Sequence, residues 1–169
     1  WMMWNWLVSV LACKASIVLF DGSPMFKQED LLLKVTEKEK ITLLGISAKY
    51  IDSLRKLKPS LNYKYKLKHL KTICSTGSPL SNEGFKYIYQ KIKKRVHLAS
   101  VSGGTDIVSC FVLGNLYQPV NMGEIQNKGL GLNVDIFGEN GKSQKNKKGE
   151  LVCKNPFPSM PLKFWNDKQ

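Results

Sequence analysis

The sequence predicts an α/β fold: a doubly wound, mostly parallel sheet with flanking helices, followed by a small antiparallel β-rich segment. Three observations predict it. Short apolar runs with β-branched residues recur up to Val101, most of them broken by a Gly/Ser/Pro turn, as parallel strands covered on both faces require. Stretches with apolar residues at helical spacing separate those runs, and strand–helix alternation marks a parallel sheet. After Pro119 the pattern shifts to short strand-like stretches joined by Gly/Asn turns, which reads as antiparallel pairing.

Taken in order, residues 3–12 fit a buried helix. The wholly apolar run Ala15 to Phe20, closed by Asp21-Gly22-Ser23-Pro24, fits a buried strand. Together they are apolar enough to suggest a membrane span. Asn5 and Lys14 interrupt them, however, and Lys14 would lie deep in the bilayer. Leu31, Leu32, Val35 and Ile41 fall at helical spacing across Gln28 to Lys40 and just beyond. Thr42 to Ile46 is the next buried strand. Ser47 can cap a helix running to Leu57, with Tyr50, Ile51 and Leu54 on one face. A basic loop over 58–68 leads to a strand at Leu70 to Ser75, ended by Thr76-Gly77-Ser78-Pro79. Ser81 caps a helix to Lys94 with Glu83 in its first turn. Val96 to Val101 is a fourth strand, ended by Ser102-Gly103-Gly104-Thr105-Asp106. Residues 123–137 and 149–153 read as strands with turns at Gly138–Gly141 and Asn146–Gly149.

The chain has 169 residues, enough for one compact core or one lobe of something larger. It opens at Trp1 and stops at Gln169 without a cap or tail signal, so both ends read as cuts through a longer protein. The net charge of +13 invites a nucleic-acid partner. The only arginines are Arg55 and Arg95, and the lysines spread along the whole chain. Base and phosphate recognition favours the bidentate guanidinium, so solvated surfaces are the better reading and no nucleic-acid or membrane partner is expected. Cys13, Cys74, Cys110 and Cys153 form no CxxC pair, and His69 and His97 lack metal-ligand spacing from them. Each cysteine sits among apolar residues and reads as a small buried hydrophobe. The sequence has no Asn-x-Ser/Thr sequon, which agrees with a cytosolic location.

Two turns could carry chemistry, since ligands of open α/β sheets bind beyond the carboxyl ends of the strands. In Ser75-Thr76-Gly77-Ser78-Pro79, Gly77 permits a tight turn or close approach to a flat ligand; a plain strand-to-helix turn would look the same. In Ser100-Val101-Ser102-Gly103-Gly104-Thr105-Asp106, paired glycines can expose backbone N–H groups to an anion. The Ser102 and Thr105 hydroxyls can donate to phosphate, and Asp106 offers a hard oxygen suited to Mg²⁺. Both follow consecutive strands and should lie side by side. A Ser-His-Asp set, a Cys-His pair, a GxxxxGK[ST] loop and a GxGxxG fingerprint are all missing, which leaves hydrolase, P-loop and dinucleotide readings unsupported.

On the stretches WMMWNWLVS, LFDGSP, SAKY, STGSPL, HLASVSGGTDIVSCF, GEIQ, KGELVCK and PFPSMPLKFWND, the chain resembles the adenylate-forming superfamily of acyl-CoA synthetases, luciferases and peptide-synthetase adenylation domains. Within that superfamily it is most similar to the branch that activates acetoacetate. The resemblance implies an ATP-dependent acid–thiol ligase using ATP, Mg²⁺ and coenzyme A, with acetoacetate as substrate and lipid synthesis as the destination of the product. It implies that Gly77-Ser78-Pro79 lies along the adenine. It also implies that Ser102, Gly103, Gly104 and Thr105 meet the nucleotide, and that Thr105 and Asp106 act in catalysis, with Asp106 on the metal where most of the family has Glu. Met2, Met3, Thr76 and Gly103 match the acyl pocket, where glycine in place of a bulky Trp leaves room for a longer acid. Residues 1–118 would then be part of the nucleotide-binding subdomain and 119–169 a β-rich segment of the same large domain. The phosphate loop and the C-terminal domain with its catalytic Lys would lie elsewhere in the same polypeptide, leaving the segment inactive alone. An acetate or propionate ligase, or a non-catalytic binding or structural fragment, are the alternatives.

Overall fold

The computed structural model describes residues 7–8 and 10–167. At its centre is a parallel sheet in the order β1–β2–β3, formed by Leu43–Ser47, Thr72–Thr76 and His97–Ser100. Helices accompany it among the described residues. Helix α1 is Leu31–Lys38, α2 is Ala48–Leu57, and α3 is Asn82–Tyr87, prolonged by a wider π-helical turn at Ile88–Ile92. The chain then pairs antiparallel: β4 (Ser102–Gly104), β5 (Ser109–Leu113) and β6 (Asn127–Lys128) form one sheet. Strands β7 (Val134–Phe137) and β8 (Glu150–Cys153) form another. The change to antiparallel pairing falls at Val101, ahead of the change of pattern after Pro119. Strand β5 escapes a reading by pattern because all five of its residues are half-buried, with no alternation.

Period-two alternation along the strands sends one row of side chains into the core. Leu44, Ile73 and Leu98 stand in register across the sheet and share one core cluster with Leu33 of α1, Ile51 and Leu54 of α2, Phe85 of α3 and Ile88 of its π-helical turn. The two expected caps are present. The Ser47 hydroxyl accepts the Tyr50 N–H at 3.0 Å, and that of Ser81 accepts the Gly84 N–H at 3.1 Å. Ser81 also donates to Asp52 of α2 at 3.1 Å, which ties the start of α3 to its neighbour. The basic loop before β2 is anchored by its apolar members: Leu61, Tyr65, Leu67 and Leu70 are buried. It also satisfies a buried acid. Lys64 and Tyr65 donate to Asp30 at 2.8 and 3.0 Å. Burial works against the charged form of Asp30, yet these hydrogen bonds outweigh it and hold the carboxyl below its usual range.

Several expectations are corrected. Residues 15–20 form no strand: Val18 and Leu19 are 48% and 56% exposed, because the run finds no partner among the described residues. The helix expected over 3–12 falls partly outside the described residues. The described part ends in a tight turn at Leu11–Cys13, and Val8 and Leu11 are exposed rather than buried. In β1 only alternate residues are buried, since Leu43 and Gly45 face outward. Cys13 is exposed, and Cys74, Cys110 and Cys153 are half-buried free thiols. Burial, with Cys110 nearby as a lesser cause, pushes the Cys74 thiol up to about 11. Among the described residues no helix is long and apolar enough to cross a membrane.

Candidate functional site

The carboxyl ends of β2 and β3 open into a cleft of about 530 Å³, within the usual size of a small-molecule site. Its floor is the turn after β2, Thr76-Gly77-Ser78-Pro79-Leu80, and the end of β3, Ser100-Val101. Ser102 and Gly103 of β4, Val112 of β5, and Gly123, Ile125 and Leu151 complete its lining. The parallel pairing of β2 with β3 is what brings the two turns together, because strands of equal direction end at the same edge. The Val101 N–H donates to the Ser75 carbonyl at 2.9 Å and carries the pairing one residue beyond β3.

Gly77 has φ +86°, in the left-handed region, so its turn needs glycine. Leu80, next along, is buried and anchors the turn against the core. Gly103 is required for another reason. A Cβ there would collide with the Ser109 carbonyl and lie 2.6 Å from Cys110 Cα on β5. Gly103 and Gly104 are therefore strand residues rather than the open anion-binding loop that paired glycines suggest: β4 pairs with β5, with a bulge between Ser102 and Gly103. The wall at 103 is bare backbone because the neighbouring strand occupies the place of a side chain.

Of the residues singled out by sequence, Thr76, Gly77, Ser78, Pro79, Ser102 and Gly103 share this cleft. Gly104 continues β4, and Thr105 and Asp106 are exposed in the turn that joins β4 to β5; these three do not line the cleft wall. That turn is closed by the Val108 N–H donating to the Thr105 carbonyl at 3.2 Å. Met2 and Met3 lie outside the described residues. Ser100 and Val101, which open the second candidate turn, also line it, whereas sequence reasoning missed Leu80, Val112, Gly123, Ile125 and Leu151 as lining residues. The last three belong to the GEIQ and KGELVCK stretches, distant in sequence and recruited only by tertiary folding.

The likeness of the chain to known proteins agrees with this geometry. The family model described as AMP-binding enzyme matches residues 1–161, and the chain belongs to that family. Within it, the chain is similar to acetoacetyl-CoA synthetases. It is 53% identical over 167 residues to the acetoacetyl-coenzyme A synthetase of Rhizobium meliloti (strain 1021), covering 99% of this chain and 26% of that protein. With the acetoacetyl-CoA synthetase of Gallus gallus it shares 46% identity over 170 residues, covering 99% and 25%. The solved structure of the Streptomyces lividans acetoacetyl-CoA synthetase superposes with a TM-score of 0.88 at 41% identity, over 99% of this chain and 26% of that one. An anthranilate CoA ligase, AuaEII, solved with anthranoyl-AMP, shares the fold alone, with a TM-score of 0.74 at 18% identity over 90% and 28%. The chain thus spans about a quarter of the length of the curated relatives it matches.

Proposed function

We propose that this chain supplies the adenosine-binding floor and part of the acyl pocket of an acetoacetate–CoA ligase. The reaction is acetoacetate, ATP and coenzyme A giving acetoacetyl-CoA, AMP and pyrophosphate through an acyl-adenylate. The observation that carries this reading is the shared cleft of the Gly77-Ser78-Pro79 turn and the Ser100–Gly103 segment. A flat purine fits against the turn of Gly77, where no side chain stands off the backbone. The hydroxyls of Ser78, Ser100 and Ser102 can hydrogen-bond its edge and ribose.

On this reading Thr105 steadies the phosphates from the turn beyond β4. No cluster of three or more metal-ligating side chains exists among the described residues. A Mg²⁺ here therefore fits only as an ion held mainly by nucleotide oxygens and waters, with the exposed Asp106 as a single carboxylate ligand. When bound it would offset phosphate charge; the protein's own part is to place the acyl carboxylate and the α-phosphorus together. Thr76 and the bare backbone at Gly103, with Met2 and Met3, would border the acyl group. The smooth wall at 103 leaves room for the acetyl extension of acetoacetate, which favours it over acetate. Residues 1–118 act as the nucleotide-binding part and 119–169 close the cleft through Gly123, Ile125 and Leu151.

The test uses the longest natural polypeptide containing these residues. With acetoacetate, ATP, Mg²⁺ and coenzyme A it is expected to release AMP, with kcat/KM for acetoacetate above those for acetate and propionate. Release of ADP, or a preference for acetate, would overturn the assignment.

A further inference from the structure

We infer that Gln126 is a positioning residue for the nucleotide cleft, acting through the loop that forms one of its walls. The inference rests on the ligase reading above. Its side-chain amide is spent completely. Oε1 accepts the Asn115 N–H at 2.9 Å and meets His97 Nε2 at 2.9 Å. Nε2 donates to the carbonyls of Asn115, Gln118 and Pro119 at 2.9, 2.8 and 3.1 Å. Two lone pairs and two hydrogens are all that a carboxamide has, so one N–H is shared between carbonyls. The three carbonyls fix which end is nitrogen. Oε1 must then accept, and His97 donates from Nε2.

These partners matter for where they sit. Gln118 and Pro119 begin the irregular stretch that carries Gly123 and Ile125 to the cleft, and Gln126 ends it. One side chain thus closes both ends of a wall that has no ladder hydrogen bonds of its own before β6. It also fastens that closure to the parallel sheet, since His97 opens β3. The packing is tight at that junction: a Cβ on Gly114 would lie 2.5 Å from the Ala99 side chain and 2.8 Å from the His97 ring. Such closure pre-organises Ile125 and Gly123 and removes ordering cost from nucleotide binding.

The test is steady-state kinetics and thermal unfolding of the full polypeptide with Gln126→Ala and His97→Phe. Gln126→Ala leaves three carbonyls and two donors without their partner. It is expected to raise KM for ATP about 10-fold, with kcat within about 3-fold of the parent and KM for coenzyme A unchanged. His97→Phe keeps the ring that Gly114 packs on and removes one of the five bonds. It is expected to raise KM for ATP about 3-fold, and it decides the matter should Gln126→Ala not fold. An unchanged KM for ATP in soluble variants of an active parent overturns the positioning role alone, whatever the melting temperature does. An inactive parent overturns the ligase reading and this inference with it.

Discussion

Ser75 is fully buried at the end of β2, one residue before the cleft, and its hydroxyl has no hydrogen-bond partner among the described residues. A buried unpaired hydroxyl costs about 1–3 kcal/mol of desolvation. Ser75→Ala, measured by chemical denaturation, is therefore expected to leave stability unchanged or raise it; a loss above about 1 kcal/mol would show a partner that the geometry does not contain. Asp135 shows the opposite case. The Lys154 ammonium at 2.8 Å, the Ile136 N–H and the Ser143 hydroxyl hold its carboxyl down at about 2, from an ordinary 3.8. A group whose pKa is lower folded than unfolded stabilises above the unfolded value, and that contribution is lost as pH falls through the folded one. Thermal midpoints should fall between about pH 4 and pH 2, and Asp135→Asn should flatten that slope. The residues also set how much of the site was legible. Ser47 and Ser81 could be read as caps because their partners lie three residues away. The Asp30 pairing with Lys64 and Tyr65 could not, because those partners are brought across from another loop.

At the level of elements, strand–helix alternation was sufficient to place β1, β2, β3 and the helices, since buried strands and amphipathic helices declare themselves by period. The β4–β5 pair was not legible. Gly103-Gly104 reads as a loop locally, and β5 lacks alternation, so only contact between the two reveals a hairpin. That contact makes Gly103 a packing residue as well as a wall of the cleft. Gly103→Ala is expected to push β5 away from β4 at a cost of about 1–3 kcal/mol and to lower the melting temperature. If the variant melts like the parent, the close approach of Ser109 is not what demands glycine. The same approach explains why a simple exchange for a bulky side chain at 103 should not convert acyl preference: the neighbouring strand would have to move first.

At the scale of the whole molecule, exposed apolar area is unevenly placed. Tyr117, Leu130, Leu162 and Trp165 are each more than nine-tenths exposed, and Phe20 and Leu43 are also open. Among the described residues β1 and β3 pair only with β2 in the parallel sheet, which leaves ladder edges unpaired. Apolar patches and open strand edges drive association, and the net charge of +13 opposes it. The 169 residues expressed alone are thus expected to bind an apolar dye and to self-associate as salt screens the charge. Light scattering across an ionic-strength series checks this; a monodisperse monomer at high salt would contradict it.

By itself the sequence determined where β1, β2 and β3 fall, the capping hydroxyls and the Gly77 turn that closes β2, all of which depend on residues a few positions apart; the Ser102–Gly104 stretch after β3, read as a loop, is a strand. It also carried the family likeness, through stretches long enough to be specific. Only the tertiary structure decided that the Gly77 turn shares its cleft with Ser102 and Gly103 but not with Gly104, Thr105 and Asp106, that Gly103 faces a neighbouring backbone, and that Gly123, Ile125 and Leu151 also line the cleft. It also decided that the run at 15–20 stays unpaired. The physical reason is range: periodicity and capping are local, whereas a cleft wall, a hairpin partner and a covered strand depend on which distant segment arrives beside them.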